Sequence, residues 1–222
     1  MRLEKSKAVE RSVDSIAKIY AIVIGLALSE AVKTLIVKDS NGNLDLSWAT
    51  FWTGAPTFVA FVFTLVPFWH GMNRHLDRCY LEKAGIVAQG ALLLDFFVFF
   101  IEASLLLLSG WALRSGLVTF YCLGWILFVD MIWGFISHQI HFAGQKSHVK
   151  SWIVINLVAG FLSLLVITFN FNPKPPVLMA IAIIRSIVDY WTGWEFYFPE
   201  AQQTAASPAG AQQQSSFDGN SP

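Results

Sequence analysis

Charge is scarce in this chain. Only 14% of its residues are Asp, Glu, Lys or Arg, and the two signs cancel to a formal net charge of zero. A protein without a net field lacks the electrostatic footprint of a nucleic-acid binder, so nucleic acid is not an expected partner. Cysteine is scarcer still. Cys79 and Cys122 stand far apart, which excludes a disulfide framework and the close spacing of metal knuckles and redox pairs. The phosphate-binding glycine loop, the dinucleotide fingerprint, the nucleophile elbow and the zinc-protease helix motif are all missing. Those absences exclude the familiar soluble enzyme chemistries, so neither catalysis nor a cofactor is expected. A cleavable signal peptide is not expected either. The N-terminal stretch is mixed in charge, and the apolar run after it has the length of a retained anchor.

Apolar residues fill the space instead. They make up 55% of the chain, with 19 Phe and 9 Trp, and the mean hydropathy is +0.54. This composition predicts an all-α, polytopic integral membrane bundle whose first partner is the lipid bilayer. A helix needs about 17–25 residues to span the hydrocarbon core. Six segments qualify, near 15–37, 48–69, 87–110, 115–137, 152–171 and 177–197. Residues 1–14 then form an N-terminal cytoplasmic segment, 15–199 the six-helix domain, and 200–222 a disordered tail rich in Gln, Ala, Ser and Pro. DSNGNLD (39–45) reads as a turn-rich loop whose acid spacing departs from the calcium-loop pattern. Pro173, Pro175 and Pro176 punctuate the last connection.

Against that background seven charged residues stand out inside the apolar runs: Glu30, Lys33, Asp95, Glu102, Asp130, Arg185 and Asp189. A carboxylate at the centre of a span costs about 2.5–3.5 kcal/mol, and five acids together imply about 12–17 kcal/mol before pairing or protonation. Such residues face a bundle interior or a watery path. Asp95, Glu102 and Ser109 recur every seven residues and share one helix face. Asp130, Gly134, Ser137, His138 and His141 follow another. Arg185–Asp189 is an i,i+4 pair in line with Thr192, and Glu30–Lys33 an i,i+3 pair. With only two bases among them, three acids need protons, water, cations or histidine as partners. By depth, Asp95, Asp130 and Asp189 would form an acidic vestibule leading through Glu102 towards Glu30. On the first helix Ala17, Ala21, Gly25 and Ser29 recur every fourth residue up to Lys33. That spacing fits either a helix-packing seam or a pore-lining helix on an oligomer axis.

All five histidines fall at helix ends or in connections on one side. HGMNRH (70–75) and HQIH (138–141) resemble the histidine clusters of membrane di-iron desaturases and hydroxylases, but the adjacent His-His pairs of those enzymes are missing. His75, His138 and His141 remain candidates for a zinc or other regulatory metal site. Histidines hydrogen-bonded to headgroups or to Asp77 are the plainer alternative.

Arg11, Tyr20 to Gly25 and Glu30, with Trp69-His70 at the end of the second span, resemble the first two helices of a small six-helix potassium-channel family with lysosomal and bacterial members. Its FSD tripeptide aligns with Ser15-Ile16-Ala17, so the signature is absent and no filter residue is carried across. The resemblance implies six helices, cytoplasmic termini and ion conduction. Together these readings lead to the expectation of a channel or transporter for a small cation or proton, assembled as a homo-oligomer. The alternative from another class is a scaffold or accessory subunit whose buried charges serve helix packing.

Positive charge sets the expected orientation. Residues 1–18 and the second and fourth connections carry ten Lys and Arg, against Lys38, Arg114 and Lys174 in the other three. Both termini are therefore expected in the cytoplasm, most simply across the plasma (inner) membrane. A reporter fused after Pro222 is expected to be active only inside the cell; an externally active fusion overturns the topology.

Overall fold

A computed structural model describes residues 2–36, 48–82, 89–141, 149–169 and 174–199. The 39–45 loop, Pro173, His148 and the 200–222 tail lie outside the described residues. Six long helices account for most of the rest: α1 (Arg2–Ile36), α2 (Trp48–Leu76), α3 (Gln89–Trp111), α4 (Gly116–His141), α5 (Val149–Thr168) and α6 (Lys174–Thr192). A π-helical turn, Asp77–Glu82, extends α2, and a short helix, α7 (Trp194–Tyr197), follows α6. No strand occurs among the described residues. The first five long helices are long and apolar enough to cross a membrane. The sixth has 19 residues but carries Lys174, Arg185 and Asp189, and its apolarity is lower.

Their neighbours follow the order α1, α3, α4, α5, α6, α2 and back to α1, a closed ring. α2 also touches α3 and α4, so its inner face reaches the middle. The bundle has two ends. Asp95 near the start of α3 meets Trp133 and His141 near the end of α4 and His75 near the end of α2, so those termini share one end. The N-termini of α1 and α5 lie there too; we call it the basic end. At the opposite end the Arg114 Nε–H donates to Thr34 O, at 3.1 Å, closing α1 against the α3–α4 connection.

Two backbone features fix the packing. The first is Gly110, where a Cβ would sit 2.4 Å from Ala27 O and 3.4 Å from Ala31 N. Glycine and two alanines thus let α1 and α3 touch backbone to backbone. The second is Pro67, inside α2. Proline has no N–H for the carbonyl four residues back, here that of Phe63. The Ser186 hydroxyl on α6 donates to that carbonyl, and Ala182 O lies 2.9 Å away on its other side. A neighbouring helix thus satisfies the group the proline orphans. At α6 the prolines 175 and 176 sit in the first turn, where a missing N–H costs nothing.

The outer surface is apolar. Trp52 and Trp111 project at the opposite end and Trp191 and Trp194 at the basic end, with Trp191 81% exposed. Ile22, Phe97, Trp125, Phe135 and Phe161 are exposed between them. A continuous apolar girdle with tryptophan at both ends suits a bilayer and would be a liability in water.

Two helices outrun their expected spans, and one expectation needs correction. α1 is helical from Arg2, and α2 runs past residue 69 into the π-turn, where Arg74 pairs with Asp77 and Glu82 at 3.4 and 3.2 Å. The small-residue stripe is not a seam within the chain. Ala21, Gly25, Ser29 and Lys33 are exposed, and nothing lies within 4 Å of a Cβ at Gly25. The buried face carries Val13, Tyr20, Ile24, Ala27 and Ala31 instead, because Tyr20 and Ile24 remove more apolar surface than the small residues would.

Gly110→Ala is therefore expected to destabilise the purified protein by about 1–3 kcal/mol, read as a lower thermal midpoint in detergent. Gly25→Ala, where a Cβ meets nothing within 4 Å, is expected to leave the midpoint no lower and to raise it slightly, alanine being the better helix former.

Candidate functional site

Four of the five acids converge. Asp95, Glu102, Asp130 and Asp189 are each no more than 2% exposed, and Arg185, at 4%, joins them. Glu30 does not. It pairs with Lys33 at 2.8 Å on a partly exposed face near the far end of α1. The expected acidic path therefore does not run on to Glu30. Nor is it an open vestibule, since all four acids are sealed inside the bundle.

Two nodes make up the interior. The first lies towards the basic end, around Asp95 on α3. Its Oδ2 accepts from Tyr80 Oη at 2.7 Å and from His75 Nε2 at 2.9 Å, while its Oδ1 accepts from Trp133 Nε1 at 2.9 Å. His141 Nε2 stands 3.6 Å from the same Oδ2. A carboxylate only accepts hydrogen bonds, and donors from α2, the π-turn and α4 satisfy it here. The π-turn is essential to this set. Its wider turn lets Cys79 and Tyr80, four and five residues past His75, both face inward. Cys79 Sγ lies 3.7 Å from His75 Nδ1, and one ligand atom from each of His75, Cys79 and His141 lies within 4.8 Å of the other two. The histidine trio expected from sequence is thus redrawn: Cys79 takes the place of His138, which is half-buried elsewhere on α4.

The second node spans the centre. Glu102 on α3 and Asp130 on α4 lie together as a buried pair of carboxyls, with the Arg185 charge nearby. Asn156 on α5 donates from Nδ2 to Asp130 Oδ2 and accepts at Oδ1 from Arg185 Nε at 2.9 Å. Arg185 Nη2 reaches Asp189 Oδ2 at 3.7 Å, so the expected i,i+4 pair is formed. Tyr197 on α7 donates to the same oxygen at 2.9 Å. The guanidinium also lies over the Phe68 ring, 4.9 Å from its centre, a favourable placement for a buried cation.

Spare capacity remains at this centre. Glu102 Oε1, Arg185 Nη1 and Tyr20 Oη are buried without hydrogen-bond partners. A cavity of about 20 Å³ adjoins Arg185, lined also by Thr64, Ser163 and Gly124, and is large enough for about one water. Between the two nodes lies an aromatic layer. Phe99 packs on Trp133 at 5.2 Å, on His75 at 6.0 Å and on Tyr20 at 6.1 Å.

Asn156, Tyr80, Trp133 and Tyr197 are hydrogen-bond partners of the buried charges that charge counting on the sequence passes over. For Asn156 a signal exists: it is the lone amide in the apolar run VINLVAG, where an unpaired polar group is costly. On the third helix the shared face of Asp95, Glu102 and Ser109 is buried as expected, whereas Thr192 falls outside the α6 stripe and is exposed. Compared with protein families, with curated proteins and with solved structures, the chain has no match in any of the three.

Asn156→Leu keeps the branched shape but removes the hydrogen bond to Asp130 Oδ2 and the one from Arg185 Nε. Stranding one member of a buried ionic network costs about 3–5 kcal/mol, so this variant is expected to lose its folded peak in size-exclusion chromatography or to unfold at a much lower temperature.

Proposed function

We propose that the protein is a six-span membrane transporter for protons, or for a small monovalent cation exchanged against protons. Both termini would be cytoplasmic in the plasma (inner) membrane. The observation that carries this reading is the Glu102–Asp130 pair of carboxyls, buried together in the sealed centre of an apolar bundle, where a shared proton would relieve their like charge. Intramembrane acids of this kind mark proton and ion pathways. Two carboxylates in contact cannot both stay ionised without a compensating cation. Loss of the shared proton therefore demands either a cation between them or a move of Arg185 towards Asp130. Glu102 Oε1 is the spare acceptor for an arriving proton or cation. The cavity beside Arg185 lies on the side of the opposite end, while the Asp95 node lies on the basic side. On this reading Arg185 and Asp189 set the local charge, and Glu30 and Lys33 take no part in the path within one chain. The exposed small-residue face of α1 would serve assembly into a homo-oligomer.

A second reading has its own observation. Each of the four buried acids has a protein partner, and the central cavity has room for only about one water. That is also what a scaffold or accessory subunit needs from a charge network that fixes helix register.

Proteoliposomes separate the two. With a pH-sensitive dye inside, transport predicts decay of an imposed proton gradient, slowed about 100-fold by Glu102→Gln and left unchanged by Glu30→Gln. Folded wild-type protein that moves neither protons nor potassium above empty liposomes overturns the transport reading in favour of the scaffold.

A further inference from the structure

We propose that His75, Cys79 and His141 bind a divalent transition metal of the zinc class at the basic end of the bundle. This site is separate from the carboxyl pair and does not rest on the transport reading. The cluster has the right donors at the right spacing. Zinc takes sulfur at about 2.3 Å and imidazole nitrogen at about 2.0–2.1 Å in a tetrahedral shell, which sets ligand atoms about 3.3–3.7 Å apart. Cys79 Sγ and His75 Nδ1 already stand 3.7 Å apart, and no pair among the three ligand atoms exceeds 4.8 Å. Closing onto an ion asks for about 1 Å of side-chain movement. A thiolate with two imidazoles selects zinc and its neighbours over magnesium or calcium, which prefer oxygen.

The surroundings are those of a built site. Metal-bound histidines present their other ring nitrogen to a carboxylate that fixes ring orientation. Asp95 does this for His75, with Oδ2 at 2.9 Å from Nε2, and lies 3.6 Å from His141 Nε2. Tyr80 and Trp133 hold Asp95 in turn. Charge closes as well: one thiolate and the Asp95 carboxylate neutralise a divalent ion, so the filled site adds no net charge to a low-dielectric interior. Both His75 and Cys79 come from the join of α2 and the π-turn, and π-helical turns are frequent at functional sites. A bound ion would tie that join to α4, with α3 bracing it through Asp95. Three protein ligands leave one position of the tetrahedron for solvent.

The test uses the full-length protein in detergent, stripped with chelator and titrated with Co²⁺. The expected result is one Co²⁺ per chain, with tetrahedral ligand-field bands and a thiolate-to-cobalt charge-transfer band, all displaced by Zn²⁺. Cys79→Ser is expected to abolish the charge-transfer band, and Asp95→Asn to weaken binding about 10- to 100-fold. His138→Gln is expected to change neither. Wild-type protein that shows no band and retains no stoichiometric metal overturns the proposal, as does a band that survives Cys79→Ser. Should the variants fail to fold, X-ray absorption of zinc-loaded wild type decides: a shell with one sulfur and two imidazoles supports the site, and any other shell rejects it.

Discussion

Charge placed inside an apolar bundle must find partners there, and in this protein that requirement sets the helix register. Hydrophobic contacts do little to choose between registers when the outside is as apolar as the inside. The chain Asp130–Asn156–Arg185–Asp189–Tyr197 runs through α4, α5, α6 and α7. Asp95 gathers α2, the π-turn and α4 onto α3. Moving any of these helices by one residue turns its face by about 100° and strands a buried charge. The polar groups thus supply the specificity, and the methyl and aromatic surfaces around them supply the bulk.

The two nodes serve different neighbourhoods although they share α3. Asp95 and Glu102 are seven residues apart, about 10.5 Å along the axis. The space between is taken by Phe99, with Trp133 and Tyr20 against it. The Phe99 ring and the Trp133 indole have no titratable group to pass a proton along, and the Tyr20 phenol belongs to the centre. The basic-end node, rich in nitrogen and sulfur donors, is chemically a different site from the carboxyl pair above it.

Much of this was legible in sequence because helical periodicity reports faces directly. The apolar lengths predicted the long helices, the seven-residue repeat predicted the buried face of α3, and i,i+4 spacing predicted Arg185–Asp189. What failed was the choice among faces. On α1 the small-residue stripe and the Tyr20–Ile24–Ala27–Ala31 face have the same periodicity, and which one packs depends on Gly110 of a distant helix. The histidine grouping failed for a local reason. Cys79 lies four residues past His75 and shares its face even at 3.6 residues per turn, whereas Tyr80 reaches the same side only through the π-turn. Neutral partners such as Asn156 and Tyr197 carry no charge to draw attention, so their roles emerge only once the helices are assembled.

Ser186 follows Arg185 directly on α6, and the two side chains do unlike jobs: one completes the broken backbone of α2 at Pro67, the other anchors the central network. Because they are adjacent on one helix, a movement of that helix displaces both. A rotation of α6 that draws Arg185 away from Asn156 also pulls the hydroxyl from Phe63 O and loosens α2 at its weakest point. The proline thus makes α2 and α6 a mechanical pair, with a hinge in one helix latched by the same element that holds the buried cation.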